Sequence, residues 1–134
     1  MLGKMEKNLR CVMLVDDNFG DNYLHAGEIK KINPDLVIIE ESMALDALKY
    51  LKSNKTKILP EIIFLDINMP GMDGWEFLEK YKNLNLPCIK VILLSTSRNE
   101  EEICKANSYD CVSDYLLKPL TGDIMKRIID KYFN

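Results

Sequence analysis

Short apolar runs alternate with amphipathic stretches along most of the chain. Runs of four to eight apolar residues are typical of buried strands, whereas apolar residues that recur every three or four positions are typical of helices. The five predicted strands, all expected to be buried, are 11–15, 36–40, 61–66, 90–95 and 114–118. The five predicted helices are 19–31, 43–53, 74–83, 99–107 and 121–132.

Residues that favour helix N-termini stand at the start of three predicted helices, namely Ser42, Asn99 and Thr121. Asn99 is the strongest of these candidates, because Glu102 follows it at the spacing of a capping box. The two glutamates between them also favour the positive end of a helix. The pattern therefore predicts capped helices between the strands.

Five strand and helix units favour an α/β fold in which the strands form one parallel sheet of doubly wound order 2-1-3-4-5. Right-handed crossovers leave few other arrangements for a chain of 134 residues. This length suits one domain spanning 1–134, with a core at about 10–133. The last predicted helix ends close to Asn134, so no output domain is expected.

Composition excludes several classes of function. Eighteen basic and 21 acidic side chains give a net charge of -3, so no overall field draws the protein to nucleic acid or to an anionic membrane. The apolar run between Arg10 and Asp16 is too short for an export segment, and the predicted location is therefore cytoplasmic. The four cysteines lack CxxC spacing and there is a single histidine, so neither a zinc site nor a disulfide is predicted.

Four polar residues stand where predicted strands end, namely Asp16, Asp17, Asp66 and Lys118. In the predicted strand order the first and third strands flank the ligand site at the carboxyl edge of the sheet, so these side chains should converge. Gathered carboxylates repel one another unless a divalent cation and an ammonium group offset their charge. The pattern indicates a metal-assisted site in which a carboxylate accepts a phosphoryl group.

Each of these residues also has an ordinary structural explanation. Asp16 and Asp17 could cap the first helix, Asp66 could form a turn, and Lys118 could be a solvated side chain. In the functional alternative, Asp17 is a direct cation ligand and Asp16 holds one of the water ligands. Asn68, two residues after Asp66, could add its backbone carbonyl to the cation ligands. We also hypothesise a cis peptide bond between Lys118 and Pro119.

Hydroxyl groups and an aromatic ring stand on the last two predicted strands. Ser95, Thr96 and Ser97 follow one another at the end of the fourth strand, where a hydroxyl could bond a phosphoryl oxygen. Serine and threonine are also common in turns, so this placement alone is ambiguous. Tyr115 lies two residues into the fifth strand, where an aromatic side chain could simply pack against a helix.

Four separated motifs resemble the receiver domains of two-component response regulators, most closely the single-domain chemotaxis type. They are VDDN at 15–18, FLDINMPGMDG at 64–74, LLSTS at 93–97 and YLLKPL at 115–120. The resemblance covers nearly the whole chain and implies a flavodoxin-like (βα)5 fold. It implies a signalling domain rather than an enzyme, one that takes a phosphoryl group onto Asp66 from a histidine kinase or a phosphotransfer protein.

The resemblance also implies roles for the site residues. Mg2+ would be bound by Asp17, Asp66 and the carbonyl of Asn68, with Asp16 in the outer shell, and Lys118 would contact the phosphate. Ser95 would be the switch hydroxyl and Tyr115 the switch aromatic, although an ungapped count from Asp66 to Lys118 allows Thr96 instead. The face formed by the fourth helix, fifth strand and fifth helix would then bind an unknown downstream protein. The expected state is a monomer or a weak dimer.

Three alternatives lie outside this function. A haloacid-dehalogenase-like phosphatase would need a second aspartate at the position of Asn68. A flavodoxin-like FMN carrier would need a Ser, Thr and Gly-rich loop in place of the acidic DDNFGDN. The more serious alternative is a receiver-like module that binds a partner constitutively and is never phosphorylated.

Overall fold

The computed structural model describes residues 9–53, 58–86 and 89–133. The strands are β1 Cys11–Val15, β2 Val37–Glu41, β3 Ile62–Asp66, β4 Lys90–Ser95 and β5 Val112–Leu117. The helices are α1 Phe19–Ile32, α2 Ala44–Lys52, α3 Gly74–Tyr81, α4 Glu100–Asn107 and α5 Gly122–Phe133, and a 3-10 turn at Lys82–Leu84 extends α3. Strands and helices alternate as the sequence predicts.

The five strands form one parallel sheet in the order β2-β1-β3-β4-β5, which confirms the predicted topology. Successive residues of each central strand point to opposite faces, so the sheet carries two apolar cores. The core beneath α2 and α3 contains Met13, Ile63, Leu93, Leu48 and Phe77. The core beneath α1 and α5 contains Leu14, Phe64, Ile92, Ile29 and Met125.

The prediction that all five strands are buried is wrong for the two edge strands. Strands β1 and β3 are buried along their whole length, and β4 is buried after its first residue. In contrast, Val37 of β2 is 44% exposed and Leu117 of β5 is 42% exposed. Helices cover the middle of a doubly wound sheet on both faces, whereas an edge strand has a neighbour on one side alone.

Two of the three predicted helix caps are confirmed. Asn99 accepts the backbone N–H groups of Glu101 and Glu102 at 2.9 and 3.2 Å, and Thr121 Oγ1 accepts that of Ile124 at 3.3 Å. Ser42 is a wrong prediction, because α2 has Met43 at its N-cap position without a side-chain cap. Among the described residues, no helix has both the length and the apolar character needed to cross a bilayer.

Candidate functional site

The carboxyl ends of β1 and β3 bring the acidic residues together. The two strands are neighbours with Val15 paired to Leu65, so the next residue on each strand is an aspartate. One carboxylate oxygen from each of Asp16, Asp17 and Asp66 lies within 4.8 Å of the other two. Asp16 and Asp66 are buried, at 3% and 5% exposure. The convergence expected from the strand order is therefore present.

Asn18, and neither of the two preceding acids, caps helix α1. Its side-chain oxygen accepts the N–H of Asp21 at 3.0 Å. The carboxylate of Asp16 in turn accepts the N–H of Asn18 at 2.9 Å, which closes a tight turn after β1. The capping alternative for Asp16 and Asp17 is thus wrong, and both carboxylates face the carboxyl edge of the sheet.

Asp66 combines a turn-forming contact with an unusual electrostatic environment. Its Oδ1 accepts the N–H of Asn68 at 3.2 Å, as the ordinary turn explanation expects. Burial and then the negative charge of Asp16 raise the pKa of Asp66 to about 6, although Lys118 and the Asn68 hydrogen bond act in the opposite direction. The buried acids therefore carry more negative charge than the protein itself offsets.

Two glycines shape the loop between Asp66 and α3. Gly71 has a positive φ of 75°, a conformation that side chains with a Cβ rarely adopt. A Cβ on Gly74 would lie 2.8 Å from the Cα of Ile67, so a larger residue would push the loop away from the strand end. Asp73 then caps α3 by accepting the N–H of Glu76 at 3.0 Å. Asn68 lies exposed at the start of this loop.

Lys118 reaches across the pocket from the end of β5. Its Nζ lies 2.6 Å from Asp16, 2.8 Å from Asp21 and 3.7 Å from Asp66. Burial lowers the pKa of this lysine, but the hydrogen bonds to Asp16 and Asp21 and the charge of Asp66 outweigh that effect and raise it. The Lys118–Pro119 peptide bond is cis, which confirms that hypothesis.

Asp21 and Asn22 belong to this site although the sequence analysis did not select them. Asn22 is buried, and its Nδ2 donates to the backbone carbonyl of Asp16 at 3.1 Å and to that of Glu41 at 3.5 Å. It thereby joins the ends of β1 and β2. The signal that could have identified both residues is their place in the first turn of the helix that follows Asp17.

The hydroxyl candidates differ sharply in their surroundings. Ser95 is fully buried, and its Oγ donates to the carbonyl of Ser97 at 3.0 Å and accepts the N–H of Ser97 at 3.2 Å. Thr96 is exposed. The hydroxyl of Tyr115 donates to Glu102 on α4 at 2.9 Å and also lies 3.1 Å from the Ser97 carbonyl. Ser97 therefore connects Ser95 to Tyr115.

The donor set fits a hard divalent cation. Such ions take oxygen ligands, and Asp16, Asp17 and Asp66 each offer a carboxylate oxygen to the same small space. Asp21 adds a fourth carboxylate nearby, whereas Lys118 is the one ammonium group that pairs with these acids among the described residues. The excess of negative charge is what a bound cation would offset.

Comparisons with known proteins agree with this geometry. Residues 12–130 match the family model described as the response regulator receiver domain. Response regulator Rcp1 of Synechocystis is 33% identical over 116 residues, which cover 81% of this chain and 76% of Rcp1. A probable methanogenesis regulatory protein, FilR2 of Methanothrix harundinacea, is 34% identical over 88 residues, which cover 63% of this chain and 56% of FilR2. The chain thus matches little more than half of FilR2.

Solved structures show the same fold. A two-component response regulator from Cytophaga hutchinsonii has a TM-score of 0.85 and 30% identity, with 93% of this chain and 97% of that one covered. The Mn(2+)-bound form of Rcp1 has a TM-score of 0.73 and 28% identity, with coverages of 92% and 93%. Both likenesses cover more than nine tenths of this chain, and their TM-scores show the same overall fold.

Proposed function

The chain belongs to the response regulator receiver domain family, and on that premise we propose that Asp66 is the residue that accepts the phosphoryl group. Receiver domains are signalling domains of two-component systems. The observation that carries the assignment is the position of Asp66, a buried carboxylate placed between two other acids and an ammonium group at the end of a central strand. This arrangement combines a nucleophile with groups that can manage phosphate charge.

Asp17, Asp66 and the backbone carbonyl of Asn68 are the proposed Mg2+ ligands, and Asp16 is proposed to hold a water ligand. When bound, the ion would neutralise charge on the attacking carboxylate and on the oxygens of the transferred phosphoryl group. The oxygen ligands present in the pocket support this choice. Asn22 and Asn18 fix the backbone and carboxylate of Asp16, so the chain holds this acid in place.

The transfer itself needs little covalent chemistry from the protein. An Asp66 oxygen forms a bond to the phosphorus of a donor phosphohistidine while the bond from phosphorus to the imidazole nitrogen breaks. The electron pair of that bond leaves with the imidazole. Although its pKa is raised to about 6, Asp66 is still mostly ionised near neutral pH, as a nucleophile requires. Lys118 lies close enough to turn its ammonium group toward the transferred phosphate.

The donor would be a sensor histidine kinase or a phosphotransfer protein, and the phosphorylated domain would bind a downstream protein. Catalysis would be confined to the domain's own phosphorylation and dephosphorylation. A cytoplasmic location, one receiver domain over 1–134 and a monomeric or weakly dimeric state stay predictions from sequence. So does the absence of direct contact with nucleic acid or membrane.

Incubation with acetyl phosphate and Mg2+ tests the proposed function. We expect intact-mass spectrometry to show the gain of one phosphoryl group, peptide mapping to place it on Asp66, and EDTA to prevent it. No gain with acetyl phosphate and no binding of fluoroberyllate would identify the constitutive interaction module instead. Steady turnover of a generic phosphatase substrate would favour the phosphatase alternative.

The hydrogen bonds around Ser97 suggest how phosphorylation would reach the surface. A phosphoryl oxygen on Asp66 would compete for the Ser95 hydroxyl, which now donates to the Ser97 carbonyl. Loss of that bond would change the contacts of Tyr115, whose hydroxyl lies against both Ser97 and Glu102. We propose that this exchange shifts the population of the face formed by α4, β5 and α5.

Ser95→Ala is expected to leave phosphorylation by acetyl phosphate possible while weakening the response of the α4-β5-α5 face. One lost hydrogen bond is worth about 1 kcal/mol, roughly fivefold in the balance between the two states. Amide chemical shifts recorded with and without fluoroberyllate would measure this response. Thr96→Ala is the matched control and should behave as the wild-type protein. The opposite pattern would make Thr96 the switch hydroxyl.

A further inference from the structure

Asp21 has no part in the function proposed above, although its carboxylate makes one of the two short contacts of Lys118. The Asp21 oxygen lies 2.8 Å from Nζ, whereas the nearest Asp66 oxygen lies 3.7 Å away, beyond hydrogen-bond distance. Asp16 makes the other short contact at 2.6 Å. The ammonium group is therefore held between the end of β1 and the first turn of α1, away from the proposed phosphoryl acceptor.

The backbone fixes Asp21 in this position. Its N–H donates to the cap residue Asn18, which sets the direction of the first helical turn. Among the residues that the structure describes, Lys118 is the sole ion-pair partner of Asp21. His25, one turn later, is buried, and this burial lowers its pKa, although the negative charge of Asp21 acts in the opposite direction.

We propose that Asp21 is a positioning residue that restrains the Lys118 ammonium on the α1 side of the pocket and thereby opposes its engagement with a phosphoryl group on Asp66. The proposal rests on the function proposed above. A lysine ammonium has three protons, and two of them point to carboxylates that would have to share it with the incoming dianion. Asp21 thus sets how readily the domain accepts a phosphoryl group and how readily it keeps that group.

The Asp21 side chain is suited to be a weak restraint. It is 33% exposed, whereas the Lys118 side chain is 10% exposed and that of Asp16 is 4% exposed. A partly solvated carboxylate contributes less to an ion pair than a buried one. We therefore expect Asp21 to tune the affinity for phosphate, while Asp16 remains essential to the pocket.

Calorimetric titration with fluoroberyllate at saturating Mg2+ tests the restraint without any kinase. Asp21→Asn, which keeps the shape but removes the charge, should lower the dissociation constant about three- to tenfold relative to wild type. Asp21→Glu should restore a value close to wild type, because the longer carboxylate can still reach the exposed side of Lys118. Circular dichroism of each variant checks that α1 is intact.

The salt dependence separates a direct contact from general repulsion between Asp21 and the bound anion. The ratio of the wild-type dissociation constant to that of Asp21→Asn should persist from about 0.1 M to about 1 M KCl, because contact pairs are screened less than distant charges. The proposal would be overturned by an unchanged dissociation constant in Asp21→Asn or by a ratio that falls to one at high salt. It would also be overturned if Asp21→Glu did not bring the dissociation constant back close to the wild-type value. Failure of folded wild-type protein to bind fluoroberyllate with Mg2+ would overturn the proposed function and the restraint with it.

Discussion

Asp66→Asn is expected to abolish phosphorylation by acetyl phosphate while making the metal-free protein more stable near neutral pH. The asparagine keeps an oxygen that can accept the N–H of Asn68 but removes one of the buried negative charges. A substitution at an ordinary ion-paired aspartate would destabilise the fold. Stabilisation by Asp66→Asn would instead show that the site keeps a buried negative charge for its chemistry at the expense of fold stability.

The expected gain in stability of Asp66→Asn follows from the titration of Asp66. Its pKa is about 6 in the folded chain against an ordinary 3.8, so the folded state binds the proton more tightly than the unfolded state. The free energy of unfolding therefore falls as the pH rises from 3.8 to about 6, and nearly the full loss is present near pH 7.5. The pKa difference corresponds to at most about 3 kcal/mol, and the coupling to Asp16 and Lys118 leaves about 1 to 2 kcal/mol for the single substitution.

Urea denaturation in EDTA near pH 7.5 and near pH 4.5 would measure this effect. Asp66→Asn should be stabilised near pH 7.5, and the gain should shrink near pH 4.5, where the wild-type carboxyl group is largely protonated. Asp35→Asn, at an exposed aspartate in the loop before β2, is the matched control and should change stability by less than about 0.5 kcal/mol at both pH values. Phosphorylation that survives in Asp66→Asn would place the acceptor elsewhere.

The sequence predicts the fold and the acidic pocket for the same reason. Buried parallel strands need unbroken apolar runs, and the polar residue that ends each run then lies at the shared carboxyl edge. CVMLV followed by Asp16 and IIFL followed by Asp66 are local signals of this kind, and each is recognisable without knowing the partner strand. The central strands and the convergence of the aspartates follow from them.

Features that depend on a neighbouring element are harder to predict. The pairing of Asp21 with Lys118 joins residues 97 positions apart, and a single acidic residue in a first helical turn is common enough to pass unnoticed. Exposure of β2 and β5 depends on how far the helices extend over the sheet edges. Ser42 is a good cap by residue type, but the backbone enters α2 one residue later, at Met43.

Lys118→Met is expected to cost about 3 kcal/mol of stability in metal-free protein near pH 7.5, because it leaves buried carboxylates without their ammonium partner. Nζ lies 2.6 Å from Asp16 and 2.8 Å from Asp21, and the lysine side chain is 10% exposed. Lys131→Met removes a lysine that is 61% exposed and lies 3.4 Å from Asp114. This matched control should cost less than about 1 kcal/mol.

Mg2+ and acid should each offset part of the loss in Lys118→Met. A bound cation replaces the missing positive charge, and near pH 5 Asp66 takes up a proton because its pKa is about 6. Chemical denaturation with and without Mg2+, at both pH values, would therefore show a larger Mg2+ stabilisation in Lys118→Met than in wild type near pH 7.5. Equal Mg2+ stabilisation of the two proteins would mean that the ammonium group and the cation do not neutralise the same carboxylates. The larger stabilisation in Lys118→Met would instead show that, in the metal-free protein, Lys118 supplies the positive charge that Mg2+ supplies when it is bound.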